Sequence, residues 1–356
     1  MLMSLSGLFR LLKGAAIKKG ALYFIILVLI YTSYILINIF DDEHLWPFFR
    51  NMALSFWPAV ISGLVIPSSE RRLKSFLTCL LMLLILLFAI NAASAMADFS
   101  KIYSLGYLPF TAMPGGFYLV IGRMLGLLQV MALVWYYKTT GKYSLLIIIL
   151  LFANIILLGL SGARMPFGVA IFFMLISIPM ALSLSGSSQA VKAAYLLLGL
   201  GFMFCLFLFF HEQLTIFQKF ALVFDAYNEN ILSRVNAIDL SIWMFKEKPV
   251  FGYGLGGYEA LDAYLQYPHN IILDLLCEQG LVGAGLFFTM LVYPLWTILK
   301  TQRRIRDEYC AYLSAFTLYY FLCALTADDS LSPRYLWLGL ALLWGQCGGR
   351  RSDLKG

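Results

Sequence analysis

His269, Asn270, Asp274 and Glu278 lie close together in the stretch YPHNIILDLLCEQGLVGAG, residues 267–285, at the mouth of a long apolar run. An imidazole titrates near neutrality and can take a proton from a hydroxyl, so a histidine beside amide and carboxylate groups could serve as a general base. Three arginines are the other reactive candidates: Arg123 inside an apolar run, Arg164 at the edge of another, and Arg234 further along. A guanidinium keeps its charge at any working pH, and its planar fork fits the oxygens of an anionic group two at a time. Arg123 is an intramembrane charge if its run spans a bilayer, which makes it a functional candidate by default. The remaining histidines, His44 and His211, are read as having no role. Three histidines far apart make no zinc pattern, and six scattered cysteines without a CxxC pair read as core or lipid-facing fillers. Neither a Walker A motif nor a dinucleotide fingerprint is present, so no metal or cofactor is expected.

The elements that must hold these groups are membrane helices. Apolar residues make up 61% of the 356, charged residues 13%, and mean hydropathy is +0.82. A soluble domain is about half apolar and a quarter charged. The long runs are continuously apolar rather than alternating, which predicts an all-α polytopic membrane protein. Ten spans are expected, at about 21–40, 52–68, 75–96, 118–137, 143–160, 166–184, 193–211, 270–299 with an irregular start, 310–326 and 335–349. Residues 1–20 read as a cytoplasmic amphipathic lead-in, 21–211 as helices one to seven, 212–268 as a large periplasmic loop, 269–349 as helices eight to ten and 350–356 as a cytoplasmic tail. Most of the 26 Lys and Arg fall on one side of this arrangement, in clusters such as Arg10 to Lys19, Arg71 to Lys74 and Lys300 to Arg306. By the positive-inside rule both termini are cytoplasmic. The net charge of +7 is thus an orientation signal and no nucleic-acid partner is inferred from it.

Residues 212–268 are unlike the short connections elsewhere, and long ordered loops commonly carry function. Within them NENILSRVNAIDLSIWMFKEKP places Ile231, Val235, Ile238, Leu240, Ile242, Trp243 and Phe245 on a broad apolar stripe, with Arg234 near its start and Pro249 ending it. The pattern predicts an amphipathic helix along the membrane surface. The next stretch, PVFGYGLGGYEALDAY, concentrates Gly252, Gly254, Gly256 and Gly257, a turn that lets backbone approach something closely. Without a preceding strand it reads as a shaped loop beside a site.

The ordered series SGAR at the end of one span, SRVNAIDLSIWMFKEKPVFGYGLGGYE in the loop and PHNIILDLLCEQGLVG at the next span resembles the O-antigen ligase and polymerase superfamily. The positions that carry the likeness are Arg234, Trp243, Pro249, Gly252, Gly254, His269, Asn270, Leu273, Glu278, Gly280 and Gly283. It covers about residues 160–300 well, while the first five spans agree only in topology.

The resemblance implies a GT-C-like membrane glycosyltransferase, metal-independent and inverting. Its donor would be a glycan on undecaprenyl diphosphate, its acceptor a hydroxyl of lipid A core or of a second lipid-linked glycan, and its site would face the periplasm of a bacterial inner membrane. Arg164 and Arg234 then correspond to a diphosphate clamp with Arg123 as a third member, and His269 to the base that takes the acceptor proton or to a group that only positions the acceptor. Asn270, Asp274 and Glu278 would orient the histidine or the acceptor sugar, with Trp243, Gly252, Tyr253 and Gly254 as further substrate contacts. Plainer readings stand beside these: Arg164 snorkelling to head groups, Arg123 paired with a neighbouring helix, Trp243 as an interface anchor, and Gly280 with Gly283 allowing close helix packing. Asp328, Asp329 and Arg334 suit either an acceptor-side lining or a solvated turn. Ligase and polymerase share every motif quoted, with the ligase slightly preferred. A transporter or flippase for lipid-linked sugars would call for internal repeats and buried charge, and a non-catalytic assembly partner would have no need of the ordered arginines and histidine.

Overall fold

The computed structural model describes residues 19–97, 117–139, 143–183, 187–210, 229–261, 267–300, 308–326, 331 and 333–347. Residues 1–18 of the lead-in, residues 212–228, His211, Asp328 and Asp329 lie outside the described residues. All ten runs expected as spans are helical over most of their described residues, the exceptions lying at run ends such as 38–40, Asn270 and 325–326. In chain order the helices are α1 (Lys19–Ile37), α2 (Leu45–Asn51), α3 (Trp57–Val65), α4 (Glu70–Ala97), α5 (Phe117–Lys138), α6 (Tyr143–Leu160), α7 (Arg164–Ser183), α8 (Ser187–Phe210), α9 (Glu229–Glu247), α10 (Gly257–Leu261), α11 (Ile271–Lys300), α12 (Glu308–Ala324) and α13 (Arg334–Cys347). Six helical stretches are long and apolar enough to cross a membrane: Gly20–Ile37, Asp42–Ser68, Glu70–Ala97, Tyr118–Lys138, Tyr143–Leu160 and Ile271–Lys300. Three shorter apolar helices are Arg164–Pro179, Gln189–Phe202 and Tyr309–Ala324. Among the described residues the only β-type pairing is an isolated bridge between Ile39 and Leu255. Helices satisfy their backbone groups internally, which hydrocarbon demands, and the chain is an all-α polytopic membrane protein.

The chain divides into two compact units, Met1–Phe76 with Glu229–Gly356, and Leu77–Asn228. The core of the first is built on α13. Trp337, fully buried, meets Phe56 at 4.6 Å between ring centroids, Phe287 at 5.6 Å and Tyr31 at 5.6 Å, drawing α1, the turn Met52–Phe56 before α3, and α11 around one side chain. Gly63 lets α3 approach Ala341 of α13 closely. Pro294 cannot donate to the carbonyl four residues earlier in α11. That carbonyl, Met290 O, instead accepts from the Trp344 indole at 2.8 Å, so the proline is absorbed without an orphaned acceptor.

In the second unit every residue from 125 to 133 of α5 is buried, so the helix is apolar on all sides because protein surrounds it. Its exceptions are paired. Asn154 Nδ2 of α6 donates to Leu125 O at 2.9 Å and Gln129 Oε1 at 2.8 Å. Lys192 of α8 donates to the carbonyls of Tyr136, Tyr137 and Thr139, where α5 runs out of intrahelical donors. The Lys192 amine thereby serves as a helix cap.

Candidate functional site

His269 is the only non-glycine residue at positive φ among the described residues, at φ 54°. The left-handed conformation costs an L-residue roughly 1–2 kcal/mol, and such positions persist where the surroundings fix them. What fixes it is the start of α11. Asn270 is the cap, its Oδ1 accepting from Ile272 N at 2.9 Å and Leu273 N at 3.2 Å, so the residue before it must turn sharply into the helix. The His269 ring packs on Tyr267, 4.4 Å between centroids, and is half-buried. Burial, and then the positive charge of Arg234, push its pKa below the ordinary histidine value. The ring is therefore neutral at pH 7, the state a proton acceptor needs.

Arg234 stands on α9, exposed and near enough for its charge to act on His269. α9 packs its narrow face, Ala237, Ser241 and Met244, inward, where Tyr258 and Cys277 close over Ala237 and Met244. The apolar stripe expected from the sequence is divided by the helical repeat of about 100° per residue. Leu232, Val235, Ile238, Ile242 and Trp243 are exposed, whereas Leu240 turns toward the packed side, and the side chain of Ile231 lies outside those described. Trp243 is nine positions after Arg234, about two and a half turns, and so stands on the opposite flank of α9. There it meets Tyr253 at 6.0 Å, and the Lys248 amine sits 4.3 Å over the Tyr253 ring. Trp243 and Tyr253 thus pair on the flank of α9 away from Arg234, whose charge acts on His269.

The irregularity expected at the start of the eighth span lies deeper, at Gly280, with φ 63° and ψ −166° inside α11. That region of backbone space is essentially closed to residues with a Cβ. The break leaves N–H groups unpaired, and the loop takes them: Leu281 N donates to Pro249 O at 2.9 Å and Val282 N to Val250 O at 3.1 Å. In return Tyr253 N donates to Cys277 O at 2.9 Å and Gly254 N to Glu278 O at 2.8 Å. A Cβ on Gly280 would strike Val250 O, and one on Gly252 the carbonyl of Glu278. Gly283 faces Tyr34, so the Gly280 and Gly283 pair serves a loop contact and a helix contact respectively.

What the glycine loop approaches is therefore this chain. Glu278, only 4% exposed, accepts at Oε1 from Gly256 N at 3.0 Å and Tyr258 N at 3.2 Å. With φ of 92° at Gly254 and 87° at Gly256, alternate amides turn inward and form an anion-binding concavity, which the carboxylate of Glu278 fills. Asp274 is buried in the first turn of α11, where a negative charge suits the helix dipole.

Sequence reasoning missed the groups on α1 that complete this assembly. Tyr34 Oη contacts both Phe251 O and Gln279 O, and Asn38 Nδ2 donates to Phe251 O at 2.6 Å. Leu255 exchanges two backbone hydrogen bonds with the end of α1, through Asn38 O and Phe40 N, each at 3.0 Å. His44, read as having no role, bridges Asp41 through Nδ1 and Glu259 through Nε2 at 3.4 Å, tying the segment after α1 to α10. The hydrogen bond from His44 holds the Asp41 carboxyl below its ordinary range. A polar Asn38 at the end of an apolar run was the one visible sign of these contacts.

Arg123 and Arg164 belong to the second unit. The turn between α6 and α7 passes through Gly162 at φ 71°, and Ser161 Oγ accepts from Ala163 N at 3.3 Å. Gly122 of α5 packs directly on Ala163. Arg123 follows the one and Arg164 the other, so close packing of two small residues brings both arginines, half-buried, to one end of this unit. Both have further interactions in the structure.

The fold thus defines a multi-pass helical membrane protein whose breaks, caps and charges gather at helix ends. Residues 144–288 match the family model described as O-antigen ligase, which supports the likeness to the O-antigen ligase and polymerase superfamily. The matched stretch runs from α6 into α11 past the break, taking in Arg164, Arg234, His269 and Glu278 and leaving out Arg123. A comparison with curated proteins gave no significant match.

Proposed function

We propose that the protein is an O-antigen ligase, a membrane glycosyltransferase that moves a finished polysaccharide from undecaprenyl diphosphate to a hydroxyl of the lipid A core at the periplasmic face of the bacterial inner membrane. The observation that carries the reading is the neutral, strained His269 beside Arg234, inside the matched stretch. His269 accepts the proton of the acceptor hydroxyl as that oxygen bonds to the anomeric carbon. The bond from that carbon to the diphosphate oxygen breaks on the opposite side, and the configuration inverts. The leaving group gains negative charge, which Arg234, Arg164 and Arg123 would stabilise with fixed positive charges and paired donors. The chemistry asked of the protein is then proton removal and anion stabilisation, which these side chains supply without a metal. Asn270 positions the histidine by capping α11, and Glu278 holds the loop against it.

The test is genetic and chemical at once. The gene is deleted in its host and complemented with wild type, Arg164→Ala, Arg234→Ala or His269→Ala, and extracted lipopolysaccharide is resolved beside the lipid-carrier pool. Long glycan stranded on the carrier with bare core on the lipid is the expected result. Core bearing a single repeat unit would make the protein a polymerase, and an unchanged profile with all three variants active would overturn the enzymatic reading.

A further inference from the structure

The tip of the glycine loop carries large apolar side chains that the described residues of the first unit leave about half exposed. Val250 is 48% exposed and Phe251 58%, beside Leu281 at 56% and Val282 at 36% on the other side of the α11 break. Ile37, at 85% the most exposed large apolar side chain among the described residues, ends α1 in the same neighbourhood, because the Phe251 carbonyl is bonded by Asn38 Nδ2 and by Tyr34 Oη. We propose that Val250 and Phe251 are a membrane wedge, inserted among lipid chains at the edge of the bilayer, and that this insertion sets the depth of the site.

Three observations select the bilayer as the occupant. Gly20–Ile37 is a membrane span by length and composition, and the loop is hydrogen-bonded to its last turn and to the residues just beyond, so the tip shares the level at which that span ends. Leu281 and Val282 begin the second part of α11, which runs uncharged until Lys300, whereas Asp274 and Glu278 lie before the break, so the polarity of the helix changes at Gly280. The exposed patch is thus continuous with two spanning surfaces rather than an island that would call for a protein partner. Its polarity also changes over a few residues: Lys246, Glu247 and Lys248 are exposed just before the tip, as at an interfacial anchor whose charged groups stay in water. From Gly280 back to His269 the helix rises at most about 16 Å, roughly twice the thickness of a head-group layer. A wedge held at the hydrocarbon edge therefore limits His269 to a height of about 16 Å above that edge. The inference needs only the membrane placement and stands whether or not the transferase reading does.

The experiment uses the full chain in vesicles of phosphatidylethanolamine and phosphatidylglycerol. Cys79, Cys205 and Cys347 are replaced by serine, leaving the buried Cys277, Cys310 and Cys323, and an environment-sensitive fluorophore is attached at Val250→Cys, Phe251→Cys or, as a control, Glu247→Cys. Expected is a blue-shifted emission at 250 and 251 that is lost when nitroxide-bearing lipids are included and is insensitive to iodide, with the opposite at 247. Quenching by iodide at 250 and 251 as strong as at 247 would overturn the proposal. So would relief of the lipid quenching on adding undecaprenyl phosphate, since the face would then be a seat for an isoprenoid tail. Two labelled positions guard against one variant misfolding.

Discussion

Glu278 offers the sharpest test, because its two readings part under a single-atom change. The structure makes it a brace: one buried carboxylate oxygen accepts from Gly256 N and Tyr258 N. Glu278→Ala strands two buried donors at about 1–3 kcal/mol each, or roughly 2–6 kcal/mol together. Glu278→Gln keeps an acceptor oxygen but trades two charge-assisted bonds for neutral ones, a loss of about 2–3 kcal/mol. At roughly 2 °C per kcal/mol for a chain of this size, the apparent melting temperature should fall about 4–12 °C for alanine and about half that for glutamine. The assay is intrinsic fluorescence melting of purified protein in detergent, paired with transfer rates at a temperature where both variants remain folded. Below its melting point Glu278→Gln should retain most of its transfer rate, since the loop still closes over an oxygen. A glutamine variant as stable as wild type yet as inactive as His269→Ala would refute the reasoning, and Glu278 would then belong to the proton chemistry.

Other perturbations separate the remaining roles. Burial and the Arg234 charge depress the His269 pKa, so the acid limb of a kcat/KM against pH profile should lie below pH 6.5; Arg234→Gln removes one cause and should move that limb to higher pH while lowering the plateau, and an unmoved limb would mean that the two groups do not communicate. If Arg164 and Arg234 hold the same leaving group, the double alanine variant should lose less rate than the product of the two single losses, measured as initial transfer rates in vesicles, whereas multiplicative losses would assign them to separate tasks. Gly280→Ala forces a Cβ into a backbone region reserved for glycine and against Val250 O, so it should lower the melting temperature by the equivalent of about 3 kcal/mol or more, with Gly285→Ala, open around its Cβ, as the benign control. Lys192→Met orphans the carbonyls that end α5 and should destabilise by about 1–3 kcal/mol without shifting the pH profile of transfer.

The helices were legible because hydrocarbon leaves an apolar run few alternatives, and the turn residues were legible because glycines crowd where φ must be positive. What those glycines approach was not legible. Gly256 and Glu278 are twenty-two residues apart, and nothing local says that an amide concavity will be filled by the chain's own carboxylate rather than by a ligand. The break at Gly280 escaped for a related reason: the helical pattern of apolar residues runs on past the glycine with no change of period at which to place a kink. Nine residues between Arg234 and Trp243 look close on paper, yet the helical repeat sets them on opposite flanks of α9. Tyr34 and Asn38 had no motif at all, since their work is to donate hydrogen bonds to stray carbonyls of a loop more than two hundred residues later.

These distant contacts bear on how the site is held. Asn270, Asp274 and Glu278 ride on the first part of α11, and a helix broken at Gly280 could not transmit orientation from its membrane part on its own. The break is stiffened from outside: four backbone bonds come from the loop at Pro249 to Gly254, and Tyr34 and Asn38 fasten that loop to α1. The attitude of His269 therefore depends on α1, although no residue of α1 is among the candidate catalytic groups. Tyr34→Phe removes the hydroxyl shared by Phe251 O and Gln279 O and leaves the ring in place. If the brace sets the histidine, this variant should lower kcat with KM nearly unchanged and leave the acid limb of the pH profile where it was, because neither the burial of His269 nor the Arg234 charge is altered. A change in KM alone would mean that the tyrosine acts on substrate binding and that the break holds itself.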